Sequence, residues 1–250
     1  MGDVSSFVGG VRALLLQALH PEVAAGVADH SQYKTDPLGR LNRTSFFVTT
    51  VNYGAMPEVQ EAVAVVRAAH KPVSGTSERG IAYSANQPQL GAWVQNTLTD
   101  SFLDAYQNFC QPLEPKDADR FVLEQSKIGE LLGISELPLT ARELREWITE
   151  HPQLGSSEAL RQAWTFLQKP PLQPSQLLGY RIVRAAAVST LPTNLAVLAN
   201  ASSPRGSFFA GRRLIASLRW ALKHSPSWKA ALDRCGAPYD ARTFRSFEDR

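Results

Sequence analysis

Apolar residues recur at helical spacing along most of the chain, and prolines and glycines separate one apolar stretch from the next. The first stretch is expected to be divided at Pro21, because proline lacks the amide hydrogen that a helix interior needs. Asp36 followed by Pro37 is typical of an N-cap and the first helical position. A helix is therefore predicted from this pair to about Tyr53, with Gly54 ending it.

The following helix is predicted to begin at Pro57 and to end before Pro72, since the residue preceding a proline is disfavoured in helical geometry. Residues 71–87 form the one long irregular segment, which holds at most a small hairpin. Helical patterns resume at Pro88 and are predicted again at 115–132, 140–150, 158–168, 175–190, 208–224 and 227–234. Because neither an alternating strand series nor an internal repeat occurs, the sequence predicts one all-α domain over residues 1–250.

Composition narrows the class of protein. The 250 residues carry a net charge of +3, and 44% of them are hydrophobic. This charge is too small to predict nucleic-acid binding, whereas the apolar content suffices for a sizeable core. Cys110 and Cys235 cannot define a disulfide scaffold, so the chain fits a reducing compartment and is expected in the cytoplasm. The first residues lack the positive region of a signal peptide, and no apolar run is long enough to span a bilayer.

His70 stands at the end of an apolar stripe whose other members, at helical spacing, are Val59, Ala62, Val63 and Val66. The spacing predicts that His70 faces the interior rather than water, with Arg67 beside it on the same side. A neutral imidazole is the commonest metal ligand among side chains. The alternative is a core histidine bonded to a backbone carbonyl, and the pattern alone favours this alternative.

Two arginines, Arg40 and Arg43, lie one turn apart on the helix that follows Asp36. Neither side of that helix is cleanly polar, so the helix is expected to be enclosed. Enclosed arginines need an anionic partner, and Asp36 is expected to be committed to capping. The alternatives are an ion pair with a distant carboxylate and a bound anion. An iron held by His70, with carboxylates held by the arginines, is what a haem would supply.

The sequence motifs of several other catalytic and metal sites are absent. There is no phosphate-binding glycine loop, no nucleophile elbow and no pair of histidines at the spacing of a zinc site. His20 precedes the expected helix break, where it either lines the same cavity as His70 or caps a turn. The basic segment from Arg205 to Arg234 is expected to be the solvated face of a packing helix, with peripheral contact to an anionic membrane as the alternative.

Several short motifs together resemble one family, that of the fungal oxygenase mpaB and the catalytic domain of rubber oxygenase. They are LLLQALHP at 14–21, DPLGR at 36–40, Arg67-x-x-His70, and YSA at 83–85 with WV at 93–94. The resemblance implies an all-helical fold that encloses a b-type haem. It implies that His70 is the proximal iron ligand, with Arg67 beside it. The distal cluster, on the opposite face of the haem, would consist of Arg40, Arg43 and Thr44.

The chain departs from the rubber-cleaving members at several positions. Arg43 replaces their lysine, and because a guanidinium stays protonated and cannot bind iron, the distal side is expected to be open or water-bound. The helix that would carry the base of rubber cleavage reads Glu22-Val23-Ala24-Ala25, without a clear counterpart of that glutamate. Ser74 and Gln95 replace a further arginine and a histidine. These departures count against polyisoprene cleavage and not against haem binding.

The sequence thus predicts a haem b-dependent oxygenase or peroxygenase that acts on a small or lipophilic substrate with dioxygen or peroxide. His70 would hold the iron, and Arg43 and Thr44 would donate hydrogen bonds to the oxidant. Arg40 and Arg67 would hold the haem carboxylates, unless one of them turns to the distal side. A haem-binding carrier or sensor without turnover is the alternative, and a helical interaction domain without haem is a third hypothesis. The sequence leaves the substrate and the oligomeric state open.

Overall fold

The computed structural model describes residues 2–244, and these form mostly α-helices. The helices in chain order are α1 (Ser6–Gln17), α2 (Pro21–His30), α3 (Pro37–Tyr53), α4 (Met56–His70), α5 (Pro88–Phe109), α6 (Pro115–Leu131), α7 (Ala141–Thr149), α8 (Glu158–Gln168), α9 (Pro174–Ser189), α10 (Thr193–Leu198), α11 (Ser207–Leu222) and α12 (Pro226–Cys235). Strands β1 (Ser74–Thr76) and β2 (Ala82–Ser84) pair antiparallel after α4, with Gly75 opposite Tyr83. The predicted all-α class and the small hairpin are confirmed.

Capping interactions explain why the helix bounds agree with the prediction. Pro21 separates α1 from α2. The Asp36 carboxylate accepts a hydrogen bond from the Gly39 amide at 2.9 Å, which begins α3. At α7 the Thr140 hydroxyl accepts from the Glu143 amide at 3.2 Å. The Glu143 carboxylate accepts in return from the Thr140 amide at 3.2 Å, which completes a capping box. Of the α-helices in residues 2–244, α10 alone was not predicted, because six residues are too few to show a helical stripe.

The core lies on both sides of α1, which packs along α5 at the centre of the fold. One apolar cluster joins α1 and α5 to α6, α7, α8 and α10, with Trp93 fully buried. A second joins the same pair to α9 and α11. Between them lies the buried guanidinium of Arg12, whose Nη1 is 2.6 Å from Asp100 Oδ2. Asp100 also pairs with Arg145 at 3.1 Å, so charged side chains link α1, α5 and α7.

Helix α3 has a different environment, because it packs mainly along α4 and also touches α12. None of its 17 residues is buried, so the expectation that this helix is enclosed was wrong. Leu38, Leu41 and Phe46 are 58%, 57% and 71% exposed. The mixed pattern identified apolar side chains correctly, but a pattern cannot show whether another element covers them.

Candidate functional site

The predicted site residues lie on α3 and α4, two consecutive helices that pack against each other. The junction between them is tight. The Ala55 amide donates to Glu58 Oε2 at 2.7 Å, which begins α4. A Cβ on Gly54 would come within 2.6 Å of the Thr50 carbonyl oxygen, so this position requires glycine for steric reasons. The short connection holds the C-terminal end of α3 against the start of α4.

His70 is the last residue of α4, and its side chain is exposed. The expectation of a buried His70 was therefore wrong: the stripe is buried at Val59 and Val63 and opens towards the end of the helix. Desolvation by the surrounding protein nevertheless lowers the pKa of His70 from its ordinary value of 6.5. Its neutral form prevails at pH 7, and the ring makes no hydrogen bond within residues 2–244.

Arg43 and Thr44 are exposed on α3. Arg43 Nη1 lies 3.3 Å from Asp36 Oδ2, although Asp36 was expected to serve only as a cap. One carboxylate does both, since Oδ1 accepts the Gly39 amide while Oδ2 faces the guanidinium. Both side chains of the pair reach solvent. Such surface pairs contribute about 0–1 kcal/mol, so Arg43 can leave Asp36 for another acceptor at small cost.

Arg40 occupies a different environment from Arg43. Its guanidinium carbon is 5.9 Å from the centre of the buried Tyr33 ring. It borders an apolar cavity of about 60 Å³ between α1, α2 and α8, lined by residues such as Val23, Val27 and Phe166. Desolvation, and to a smaller extent Arg43, lowers the pKa of Arg40, and Tyr33 opposes this change. No carboxylate pairs with Arg40 in the described part of the chain, so it is a desolvated cation without a protein counter-charge.

Arg67 lies one turn before His70 on the same side of α4 and is exposed. Its Nη2 comes within 3.0 Å of the position that a Cβ on Gly133 would occupy. Gly133 follows α6 and has a φ of +76°, which favours glycine on conformational grounds as well. Arg67 thus reaches from α4 towards the end of α6, where residues 2–244 offer it no ion-pair partner. The structure therefore places Arg40 and Arg67 beside different helices.

A buried polar cluster that sequence reasoning missed lies at the start of α2. Glu22 accepts hydrogen bonds from the Ser77 hydroxyl at 2.7 Å and from Arg79 Nε at 3.1 Å. Burial opposes ionisation of Glu22, but the bonds from Arg79 and Ser77 outweigh it and lower its pKa. His20, the N-cap of α2, has Nε2 3.0 Å from Gln153 Oε1 and Nδ1 3.3 Å from Glu22. Because the hairpin partners lie more than fifty residues from Glu22, no local spacing could have indicated the cluster.

The His20 ring is thus held by Gln153 and Glu22 at the N-cap position of α2, and that it lines the same cavity as His70 stays a prediction. Desolvation lowers its pKa, and the pKa of the neighbouring His151 falls to about 4, mainly through desolvation. Both imidazoles are neutral at pH 7. Residues 2–244 contain no cluster of three or more His, Cys, Asp or Glu side chains placed to hold a metal ion. None of the described helices combines the length and apolar character needed to cross a membrane.

Comparison with known proteins gives one finding. The family model described as "ER-bound oxygenase mpaB/B'/Rubber oxygenase, catalytic domain" matches residues 1–220. No curated protein and no solved structure matches the chain. The match confirms the resemblance carried by the sequence motifs and extends over all the candidate site residues described in this subsection.

Proposed function

The chain belongs to the family of the ER-bound oxygenase mpaB/B' and rubber oxygenase catalytic domains, and from that premise we propose that it is a haem b-dependent oxidoreductase. The family is one of oxygenase catalytic domains. The finer proposal is an oxygenase or peroxygenase that oxidises a small or lipophilic organic molecule with dioxygen or peroxide. The observation that carries it is the imidazole of His70, which is neutral at pH 7, reaches solvent and makes no hydrogen bond within residues 2–244.

The donor set fits a haem. A neutral imidazole without a hydrogen-bond partner is ready to hold iron, and the alternative of a carbonyl-bonded core histidine has no support in the contacts of His70. Arg67 and Arg40 have no carboxylate partners in the described residues and suit the two haem propionates. The two arginines lie beside different helices. Arg67 is one turn from His70 on α4, so it is better placed than Arg40 to hold a propionate beside the proposed iron ligand.

The apolar surface also fits. A planar macrocycle is mostly hydrophobic and needs apolar walls around its edges. Leu38, Leu41 and Phe46 on α3 are more than half exposed, and Val65 on α4 is 62% exposed. These apolar side chains, on two helices that pack against each other, would serve as such walls.

Haem, when bound, supplies an iron that activates dioxygen or peroxide. The residues of this chain would position and polarise the reactants. A guanidinium cannot bind iron as a lysine amine could, so Arg43 would instead donate hydrogen bonds to the oxidant. Once Arg43 leaves Asp36, the Arg43 guanidinium is free for that role. The Thr44 hydroxyl, next along α3, supplies a second donor. Preorganised donors of this kind stabilise negative charge that develops in a transition state.

A direct test is the absorption spectrum of the purified protein and of His70→Ala. We expect a Soret band in the parent, and loss of most haem in the variant with unchanged helical circular dichroism. His30→Ala is the matched control, because His30 is also exposed at the end of a helix. A variant that keeps haem with the parental spectrum would show that another residue holds the iron, and His20 would be tested next.

Turnover separates the enzyme from the non-catalytic carrier or sensor. We expect the haem-loaded protein to form oxidised products when peroxide or dioxygen and lipophilic substrates are supplied. Full haem loading without any product over a broad substrate panel would favour the carrier. A cytoplasmic location remains part of the proposal, and the free state of Cys110 and Cys235 agrees with a reducing compartment.

A further inference from the structure

Helix α11 presents two large aromatic side chains to solvent. Trp220 is 85% exposed and Phe209 is 69% exposed. Together with Arg213 and Ala216 they follow the spacing i, i+4, i+7 and i+11, so all four lie on one side of the helix. The buried residues Gly211 and Ile215 lie on the opposite side. The aromatic stripe, defined as Phe209, Arg213, Ala216 and Trp220, runs for about 16 Å along α11.

In the described part of the chain, the exposed charged residues of α11 and its flanks are all positive. Arg212 flanks the aromatic stripe, Arg205 precedes α11, and Lys223 follows it; all three are exposed. None of them, nor Arg213, forms an ion pair within residues 2–244. Between Glu158 and Asp233 the chain has no acidic residue and ten Lys and Arg residues. The remaining arginine of the helix, Arg219, turns inward to Asp3 at 2.6 Å.

We propose that this face of α11 binds an anionic lipid bilayer surface. An interfacial helix combines aromatic side chains, which enter the headgroup region, with cations that meet lipid phosphates. Trp is enriched at that interface because its ring is apolar and its N–H is polar. The sequence alone favoured a solvated basic face, but the structure shows that Trp220 and Phe209 share that face with the arginines. Binding of this face to a bilayer does not require haem.

The same residues argue against a second copy of the chain as the occupant. A two-fold contact places the same patch of each subunit against its counterpart. Here that contact would bring Arg212 and Arg213 of both copies together without any acidic residue of α11 to compensate. A bilayer that contains anionic lipids supplies the opposite charge and accepts both aromatic rings.

The test is co-sedimentation of the full chain with phosphatidylcholine vesicles, alone or with phosphatidylglycerol at about two to one. We expect binding to the mixed vesicles that weakens as salt is raised. Arg212→Gln/Arg213→Gln should weaken binding about 30-fold, since each cation contributes about 1 kcal/mol near an anionic surface. Lys116→Gln/Lys127→Gln, which removes two exposed cations of α6, is the matched control and should bind as the parent does.

Fluorescence gives a second, site-specific readout. Of the five tryptophans, Trp220 is the one that enters the interface, so mixed vesicles should shift the parental emission to the blue. Trp220→Phe should abolish the shift while retaining helical circular dichroism, and Trp220→Ser should weaken sedimentation about tenfold. Equal binding to pure phosphatidylcholine, or no binding at all, overturns the proposal. So does a dimer that Trp220→Ser dissociates, or salt-sensitive binding of a DNA oligonucleotide without vesicle binding.

Discussion

The carboxylate of Asp3 offers the sharpest quantitative prediction, because it joins the beginning of the chain to α11. Its Oδ2 lies 2.6 Å from Arg219 Nε and its Oδ1 lies 2.9 Å from Nη2 of the same guanidinium. Oδ1 also accepts the Ser5 amide at 2.8 Å. Burial alone would raise the pKa of Asp3, but the hydrogen bonds from Arg219 and Ser5 outweigh it and lower the pKa from 3.8 to about 2.

The sign of the pH dependence follows from that shift. The folded-state pKa lies below the unfolded value, so the stabilisation is fully present above about pH 4–5 and is lost as the pH falls towards 2. Nearly two pKa units at about 1.4 kcal/mol each correspond to about 2–3 kcal/mol of unfolding free energy at pH 7. About half of that contribution is gone by pH 3.

The perturbation is Asp3→Asn, and the assay is urea unfolding followed by circular dichroism at pH 7, 5 and 3. The difference in unfolding free energy between parent and variant should shrink by about 1 kcal/mol between pH 7 and pH 3, because asparagine does not titrate. Asp233→Asn, which removes an exposed partner of Lys229, is the control and should leave the pH dependence nearly unchanged. Parallel pH profiles for the parent and Asp3→Asn would refute the reasoning.

Three further predictions concern Arg43, the buried ion pair of Arg12 and the packing of α11. Arg43→Ala should keep the haem content and lower turnover by about 10²–10³-fold, because it removes a hydrogen-bond donor to the oxidant. Arg43→Lys should give a six-coordinate absorption spectrum, because a lysine amine can bind iron. Parental turnover in Arg43→Ala would show that Arg43 does not act on the distal side. Arg12→Met should lower the unfolding free energy in urea titrations by about 3–5 kcal/mol, because it leaves the buried Asp100 carboxylate without this partner. The exposed Arg142→Met is the control and should cost about 0–1 kcal/mol. Equal effects of the two variants would contradict a stabilising role of the buried ion pair. Gly211→Ala should lower the melting temperature through overpacking, because its Cβ would lie 2.5 Å from Ala186. Gly179→Ala, whose Cβ would meet nothing within 4 Å, is the control and should raise the melting temperature slightly. An unchanged melting temperature for Gly211→Ala would show that α9 and α11 can separate freely.

The helices could be predicted from sequence because their ends depend on contacts within about four residues. Asp36 and Pro37 define the start of α3, and Thr140 with Glu143 defines that of α7, each through bonds to neighbouring amides. The family motifs could also be recognised, because each consists of residues that lie close together in the sequence. The family match confirms this resemblance. The haem ligand and the roles of the distal residues remain predictions.

The sequence could not predict which side chains are buried or which residues they contact, because both depend on elements that come from elsewhere in the chain. Helical spacing grouped His70 with Val59 and Val63 but could not show that the end of α4 lies open. The bonds of Glu22 to Ser77 and Arg79 form only once the hairpin folds back on α2. Sequence determined which side chains share a face of a helix; the tertiary structure decided which faces meet protein and which meet solvent, because only packing brings distant segments into contact.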